Sequence, residues 1–338
     1  MVKVAIVGVG FMGWIHYLAY QRCQTAKLVA FCSRDAKKRG GDWRGIQGNF
    51  GPPGEVIDVS ALAAYESLQE VLDDPAVDLV DICLPPHLHV DAVSRALAAG
   101  KHVLCEKPLA LTANEAAALA DGAAGRLMVA HILPFFAEYR LLSDAVADGR
   151  FGKLLGGHFK RVIGPPDWIP DFYDPTTVGG PLIDLHVHDA HLIRMLLGMP
   201  TAAHSVCRMK DGVPKYVETV FQFADAELVA GATSGVIDQA SRGFTHGYDV
   251  QFERANVQFE TAFFGDSSSA SIPLTIAHAD GRVERPSDDS ADAGDSIAVF
   301  VQELDAAAQS VVSGQVHPAL DAAVAVDAIK ICELQIPS

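Results

Sequence analysis

The strand-turn-helix start of this chain constrains its fold more than any other stretch. Val2-Lys3-Val4-Ala5-Ile6-Val7 is a short apolar run rich in β-branched residues, and it reads as a buried parallel strand. Gly8-Val9-Gly10-Phe11-Met12-Gly13 follows directly, and a helical pattern then runs from Trp14 to Arg22. A G-x-G-x-x-G turn says little alone, but between a strand and a helix it has a mechanical reason. Gly8 permits the tight turn, Gly10 lets the backbone approach a pyrophosphate, and Gly13 lets the helix lie close to the strand. The helix N-terminus then faces the phosphates, so Phe11 and Met12 count with the three glycines as cofactor-binding residues. The expected class is α/β, opening with a doubly wound parallel Rossmann sheet.

A second strand, Lys27 to Cys32, ends in Ser33-Arg34-Asp35. An acid at this strand end would hold a ribose 2′-hydroxyl, as NAD enzymes require. Ser33 and Arg34 instead offer a hydroxyl and a guanidinium, which suit the 2′-phosphate of NADP. Asp35 lies two residues past the acid's usual place, so NADP is the expected cofactor and NAD the alternative. The next stretch, 39–53, is rich in Gly and Pro and reads as a loop in place of part of the second crossover. Trp43 and Arg44 within it have two readings, a cover for the adenine or local packing. The βαβ rhythm resumes with helix 61–72, strand 77–84, helix 89–99 and strand 101–105.

Length and charge bound the rest. A chain of 338 residues exceeds one ordinary core, so two domains are expected, 1–128 for the dinucleotide and 129–338 for substrate. The C-terminal helix is free to pack back on the first domain. A formal charge of −16 without a Lys/Arg cluster argues against nucleic acid and anionic membranes as partners. No apolar run has transmembrane length, and the first residues lead into a strand rather than a signal peptide. The six cysteines, without C-x-x-C spacing, suit reduced thiols in a cytoplasmic protein; a catalytic thiol at Cys105 is the lesser reading.

The stretch from Gly179 to Gly198 concentrates ionisable groups: Asp184, His186, His188, Asp189 and His191. As a strand it would align Asp184, His186 and His188, a metal-binding set of the kind a hydrolase uses. As a helix it would align Asp184, His188 and His191 and turn His186 away. Gly179-Gly180-Pro181 suits a helix start and Gly198 a stop, and the leucines do not alternate, so helix is the reading adopted.

Cys105-Glu106-Lys107-Pro108-Leu109-Ala110, the N-terminal glycine turn and the later Gly-Gly…Asp-x-x-x-His together form a recognisable set. With Leu84-Pro85-Pro86-His87-Leu88-His89 and Ala99-Gly100-Lys101-His102-Val103, it resembles the glucose–fructose oxidoreductase / inositol dehydrogenase / MocA family over nearly the whole chain. The resemblance implies an N-terminal Rossmann domain and a C-terminal α+β domain whose large open, mostly antiparallel sheet carries the substrate cleft. It also implies NAD(P)-linked chemistry on sugars, cyclitols and related polyhydroxy compounds, and a homo-dimer or homo-tetramer built through that sheet. It places His89 with the cofactor-binding residues and a Tyr-Asp pair, here Tyr248-Asp249, at the substrate. Where the family often has Arg-Phe, this chain has Pro134-Phe135, so no role passes to that position.

Physical reading runs alongside. Strand carboxyl ends of an open α/β sheet face the ligand crevice, so Leu84, Pro85, Glu106 and Lys107 should line the nicotinamide pocket. Lys107 can donate to a substrate hydroxyl, and Pro108 fixes the turn that aims it, a place where a cis bond would serve. His188 is the expected general base, because imidazole titrates near neutral pH, with Asp184 one turn earlier to orient it or hold a neighbouring hydroxyl. The expected function is hydride transfer between a nicotinamide and a CH–OH carbon. The rivals are a redox-cycling glycosidase with retained NAD, a metal hydrolase using Asp184, His186 and His188, and a cofactor-binding sensor. The remaining text predicts a helix from Tyr139, a strand 153–162, an aromatic binding loop 164–178 and a run of strands 203–260. An acidic loop 285–295 and two closing helices follow.

Overall fold

The computed structural model describes every residue except 168, 170, 266, 287–294 and 338, with the side chains of 267–271 also left aside. Trp168 of the expected binding loop and most of the acidic loop 285–295 therefore lie outside the described residues. The chain divides into two compact units. The first comprises 1–110, 114–135 and 291–326, and the second 111–113, 136–290 and 327–338.

In the first unit the strands are β1 (Val2–Val7), β2 (Ala26–Cys32), β3 (Ala63–Tyr65), β4 (Leu79–Ile82), β5 (His102–Glu106) and β6 (Leu127–Ala130). They pair in parallel in the order β3-β2-β1-β4-β5-β6. The order reverses between β1 and β4, the switch point where open α/β sheets bind ligands. Val4, Ala5 and Ile6 have no exposure, as strands covered on both faces require. The crossover helices are α1 (Phe11–Tyr20), α2 (Ala36–Arg39), α3 (Leu68–Asp73), α4 (His89–Ala98) and α5 (Ala113–Asp121).

Two sequence expectations change here. The helix read over 61–72 is a short strand followed by a shorter helix, which starts at a capping box between Ser67 and Glu70. The Gly/Pro-rich stretch 39–53 is a loop around a buried anchor. Trp43 has no exposure, packs on Trp14, Tyr17 and Phe31, and donates its indole N–H to the Lys38 carbonyl at 2.8 Å. Arg44 pairs with neighbouring Asp42 at the surface. Local packing is therefore the outcome for both.

The second unit contains α6 (Ala137–Asp148), β7 (Leu154–Ile163), α7 (Gly180–Asp184) and α8 (Val187–Leu197). Its later strands are β8 (Ala202–Lys210), β9 (Val213–Gln222), β10 (Val229–Val236), β11 (Arg242–Phe252), β12 (Ala255–Phe264), β13 (Ser267–His278) and β14 (Val283–Glu284). The sheet order is β14-β13-β12-β11-β7-β10-β9-β8, antiparallel except for β7 with β10. Helices α9 (Ala298–Ser313) and α10 (Ala322–Leu334) end the chain. All of α9 and the start of α10 belong to the first unit, and α9 packs on α1. Among the described residues no helix is long and apolar enough to cross a membrane.

Candidate active site

The glycine turn is shaped as its chemistry demands. Gly8 has φ +104°, and a Cβ there would stand 2.7 Å from the Cys83 carbonyl oxygen. A Cβ on Gly13 would stand 2.1 Å from the Gly8 carbonyl oxygen, so helix and turn touch through backbone. A Cβ on Gly10 would meet nothing within 4 Å. Gly10 also caps α1 without a side-chain hydrogen bond, leaving first-turn N–H groups for an incoming anion. The turn thus fits a pyrophosphate. Phe11 packs edge-on against Phe50 and Trp14 donates to the Pro52 carbonyl at 2.8 Å, so the 39–53 loop braces this turn.

At the end of β2, Ser33 is buried and Arg34 exposed. Asp35 is used locally, since its carboxylate accepts the Lys37 N–H at 2.8 Å and caps α2. Lys38, which sequence reading passed over, donates its ammonium to the Val9 carbonyl of the glycine turn at 2.6 Å. Its i+5 spacing from Ser33 carries no local pattern, and only the fold brings it to the turn.

Just past the end of β4, Leu84 is partly exposed and Pro85 exposed. His89 departs from its expected role. It is fully buried, with Nδ1 2.8 Å from the Pro108 carbonyl and Nε2 2.7 Å from the Leu84 carbonyl. Both ring nitrogens are engaged by backbone, so His89 ties the β4 and β5 end turns together rather than presenting a group to a ligand. Burial holds its pKa below the ordinary value, against the pull of the two carbonyls. The Lys107–Pro108 bond is cis. Glu106 is nearly buried, and its carboxylate accepts the Lys107 N–H at 3.2 Å. Cys105 has no exposure, and burial pushes its thiol well up, which removes it as a nucleophile. All six cysteines are free.

A cluster missed from sequence lies behind these turns. Asp81, in the middle of β4 and without exposure, accepts from His16 Nδ1 at 2.8 Å, the Tyr20 hydroxyl at 3.0 Å and the Cys83 thiol at 3.6 Å. His16, Asp81 and Cys83 form the one group of three metal-capable donors found within 4.8 Å of one another among the described residues. Three hydrogen-bond donors converging on one carboxylate account for that closeness. An acid inside the apolar run Leu79-Val80-Asp81-Ile82 was the available signal.

In the second unit, the expected single helix is two. Gly179 at φ +87° and Gly180 at φ +76° open α7, and Pro181 occupies its first turn. The Pro181 carbonyl then accepts from both Leu185 N, at 2.9 Å, and His186 N, at 3.0 Å, and the chain restarts as α8. Asp184 and His188 are partly exposed, whereas His186, Asp189 and His191 are buried. His191, three residues after His188 on α8, is buried where His188 is partly exposed. The metal set Asp184, His186 and His188 does not form, because the backbone is helical and His186 is fully buried. Burial lowers the His186 pKa to about 4, against Asp189, whose carboxylate lies 4.0 Å away.

Beneath α8, Asp189 pairs bidentately with Arg161 of β7, at 2.7 Å and 3.1 Å. Tyr139 contacts His246 at 2.6 Å, and burial lowers that ring to about 3. Tyr248, expected at the substrate, is 4% exposed and donates its hydroxyl to the Glu138 carbonyl. It packs on Tyr139 and Phe259 as a core residue. In the loop 164–178, Phe172 and Val178 pack with Ile163, Leu185 and Val236.

A parallel sheet in the 3-2-1-4-5-6 order, with a glycine turn at its switch point, defines a dinucleotide-binding Rossmann fold. Comparison with known proteins gives the family. Residues 2–131 match the oxidoreductase family with NAD-binding Rossmann fold, and residues 139–257 match the GFO/IDH/MocA C-terminal domain. The chain belongs to the GFO/IDH/MocA family. It is 33% identical over 238 residues to 1,5-anhydro-D-fructose reductase of Ensifer adhaerens, covering 66% of this chain and 68% of that one. It is 31% identical over 258 residues to D-xylose 1-dehydrogenase (NADP(+)) 2 of Haloferax volcanii, covering 75% of each. A levoglucosan dehydrogenase solved with NADH and levoglucosan superposes with a TM-score of 0.77 at 20% identity, covering 99% of this chain and 96% of that one. The chain is a nicotinamide-dependent dehydrogenase or reductase acting on CH–OH groups.

Proposed function

We propose that the substrate is a sugar, cyclitol or related polyhydroxy compound, with His188 as general base, Asp184 and Lys107 as its partners in the chemistry, and NADP as the preferred cofactor. The observation that carries this reading is the pattern of exposure on α7 and α8. Asp184 and His188 are partly exposed while His186, Asp189 and His191 are buried. An imidazole and a carboxylate held this way suit a substrate that presents adjacent hydroxyls.

A bound nicotinamide supplies the hydride acceptor or donor. The residues of the chain do the rest. The glycine turn holds the pyrophosphate, and Lys107 donates a hydrogen bond to the reacting oxygen. His188 takes the hydroxyl proton during oxidation and returns it during reduction. Three features support NADP: the capping role of Asp35, the exposed guanidinium of Arg34, and the Lys38 ammonium at the glycine turn. Exposed Val206, Val220 and Val229 on β8, β9 and β10 support assembly of identical copies through this sheet, which sedimentation would test.

The discriminating experiment is a pair of single variants, His188→Asn and His186→Asn. His188→Asn should lower kcat by roughly 10²–10⁴, the usual worth of a general base, with cofactor affinity near wild type. His186→Asn should change stability more than turnover. Equal loss of kcat in both variants would refute the assignment.

A further inference from the structure

The hydride-transfer chemistry leaves one group of ionisable side chains in the first unit unused. Asp81 and His16 are fully buried and hydrogen-bonded to each other. The second ring nitrogen of His16, Nε2, lies 3.2 Å from Glu106 Oε1. Glu303 of α9 is 1% exposed, and neither of its carboxylate oxygens has a hydrogen-bond partner. With all three carboxylates ionised and one imidazolium among them, two negative charges would stand uncompensated in the interior. Such a charge is prohibitively costly, and a proton on one member relieves it. The hydrogen bonds select which. Asp81 has three donors, and Glu106 accepts the Lys107 N–H and lies within ion-pair distance of the His16 ring, whereas Glu303 has no hydrogen-bond partner. The charged groups that act electrostatically on Glu303 are Glu106 on β5, His16 on α1 and Asp81 on β4. Burial and then Glu106 push its carboxyl well above the ordinary range. At His16 burial opposes the charge, but Asp81 and Cys83 overcome it and the ring is held well above its usual value.

We propose that Asp81, His16 and Glu106 form a carboxylate–imidazolium–carboxylate chain, with Glu303 carried behind it as a neutral carboxylic acid. The single negative charge that remains, at the end of β5, biases the site toward the oxidised, cationic nicotinamide over the neutral reduced form. The second half rests on the dinucleotide binding where the strand ends face, as in the proposed function. His16 and Asp81 are positioning residues for the Glu106 carboxylate, and Glu303 keeps the cluster from accumulating a second charge.

Two measurements on the full-length protein decide this. Infrared difference spectra of cofactor-free wild type against Glu303→Gln at neutral pH should show the carbonyl band of a protonated carboxylic acid that only the wild type has. The melting temperature of Glu303→Gln should also rise relative to wild type as pH increases above about 4.5, because the folded wild type holds a proton that its unfolded chain releases. A missing band, or a difference in melting temperature that is flat with pH, overturns the neutral acid. Calorimetry with NADP⁺ and NADPH then reads the bias. Glu106→Gln should shift the affinity ratio roughly tenfold toward the reduced form, the scale of one unit charge at ordinary protein screening, and Glu303→Gln should leave the ratio unchanged. An unshifted ratio in Glu106→Gln overturns the bias. If wild type binds neither form, the dinucleotide reading itself fails, and the infrared band still decides the state of Glu303.

Discussion

Substitution of Gly10 separates the phosphate-binding role of the turn from its structural role. Gly10 has φ −104° and ψ −158°, extended backbone open to any residue, and a Cβ there meets nothing within 4 Å. Gly10→Val should therefore fold with a melting temperature within about 2 °C of wild type, as a substitution without clash or strain does. Its branched side chain would occupy the space a pyrophosphate needs beside the first turn of α1. Charge-assisted hydrogen bonds to phosphate contribute roughly 1.5–3 kcal/mol each, so losing one or two should weaken dinucleotide binding by about 10²-fold or more. Gly13→Ala is the contrast, because its Cβ would stand 2.1 Å from the Gly8 carbonyl oxygen. Backbone must move, at a cost of about 1–3 kcal/mol, and the melting temperature should fall by several degrees along with affinity. Calorimetry, by titration for affinity and by scanning for stability, tests both. Equal destabilisation of the two variants, or wild-type affinity in Gly10→Val, would refute this account of the turn.

Further outcomes follow from the surrounding contacts. Arg34→Ala should weaken NADP binding about tenfold or more with little change for NAD, and equal losses in titration calorimetry would remove the basis for NADP preference. Asp189→Asn leaves the buried Arg161 guanidinium without its charge partner, so denaturant unfolding should show a loss of about 3–5 kcal/mol. The double variant with Arg161→Met should recover part of that loss. His186 and His246, which burial holds down to about 4 and about 3, are neutral when folded. The unfolded chain takes up those protons as pH falls below about 6.5, so their contribution to stability is complete above that value and lost toward pH 4 and below. Melting temperatures between pH 6.5 and 5 should fall less steeply in His246→Phe than in wild type, and parallel slopes would contradict a neutral buried ring.

What the sequence disclosed depended on whether the backbone or a distant partner set the constraint. Gly8 and Gly13 were readable because a positive φ and a close backbone contact leave no other residue, and those needs are local. Helical spacing, also local, singled out Asp184 and His188, and both are partly exposed although they fall in two successive helices, α7 and α8. The break after Asp184 was not, since it depends on one Pro181 carbonyl serving two N–H groups while His186 turns inward. Tyr248 misled for a related reason: a strand tyrosine looks the same whether its hydroxyl meets a ligand or, as here, the Glu138 carbonyl. Asp81 was visible only as an anomaly, an acid in an apolar strand, and its partner His16 lies 65 positions away. Glu303 gave less still, because on an amphipathic helix it reads as a solvated position, yet it is buried with no partner. Both acids mark places where local pattern and tertiary environment disagree, and such conflicts are expected to collect at functional sites. On that ground the ionisable cluster behind the β4 and β5 ends, rather than the helix singled out for its histidines, is where local pattern and tertiary environment conflict most plainly.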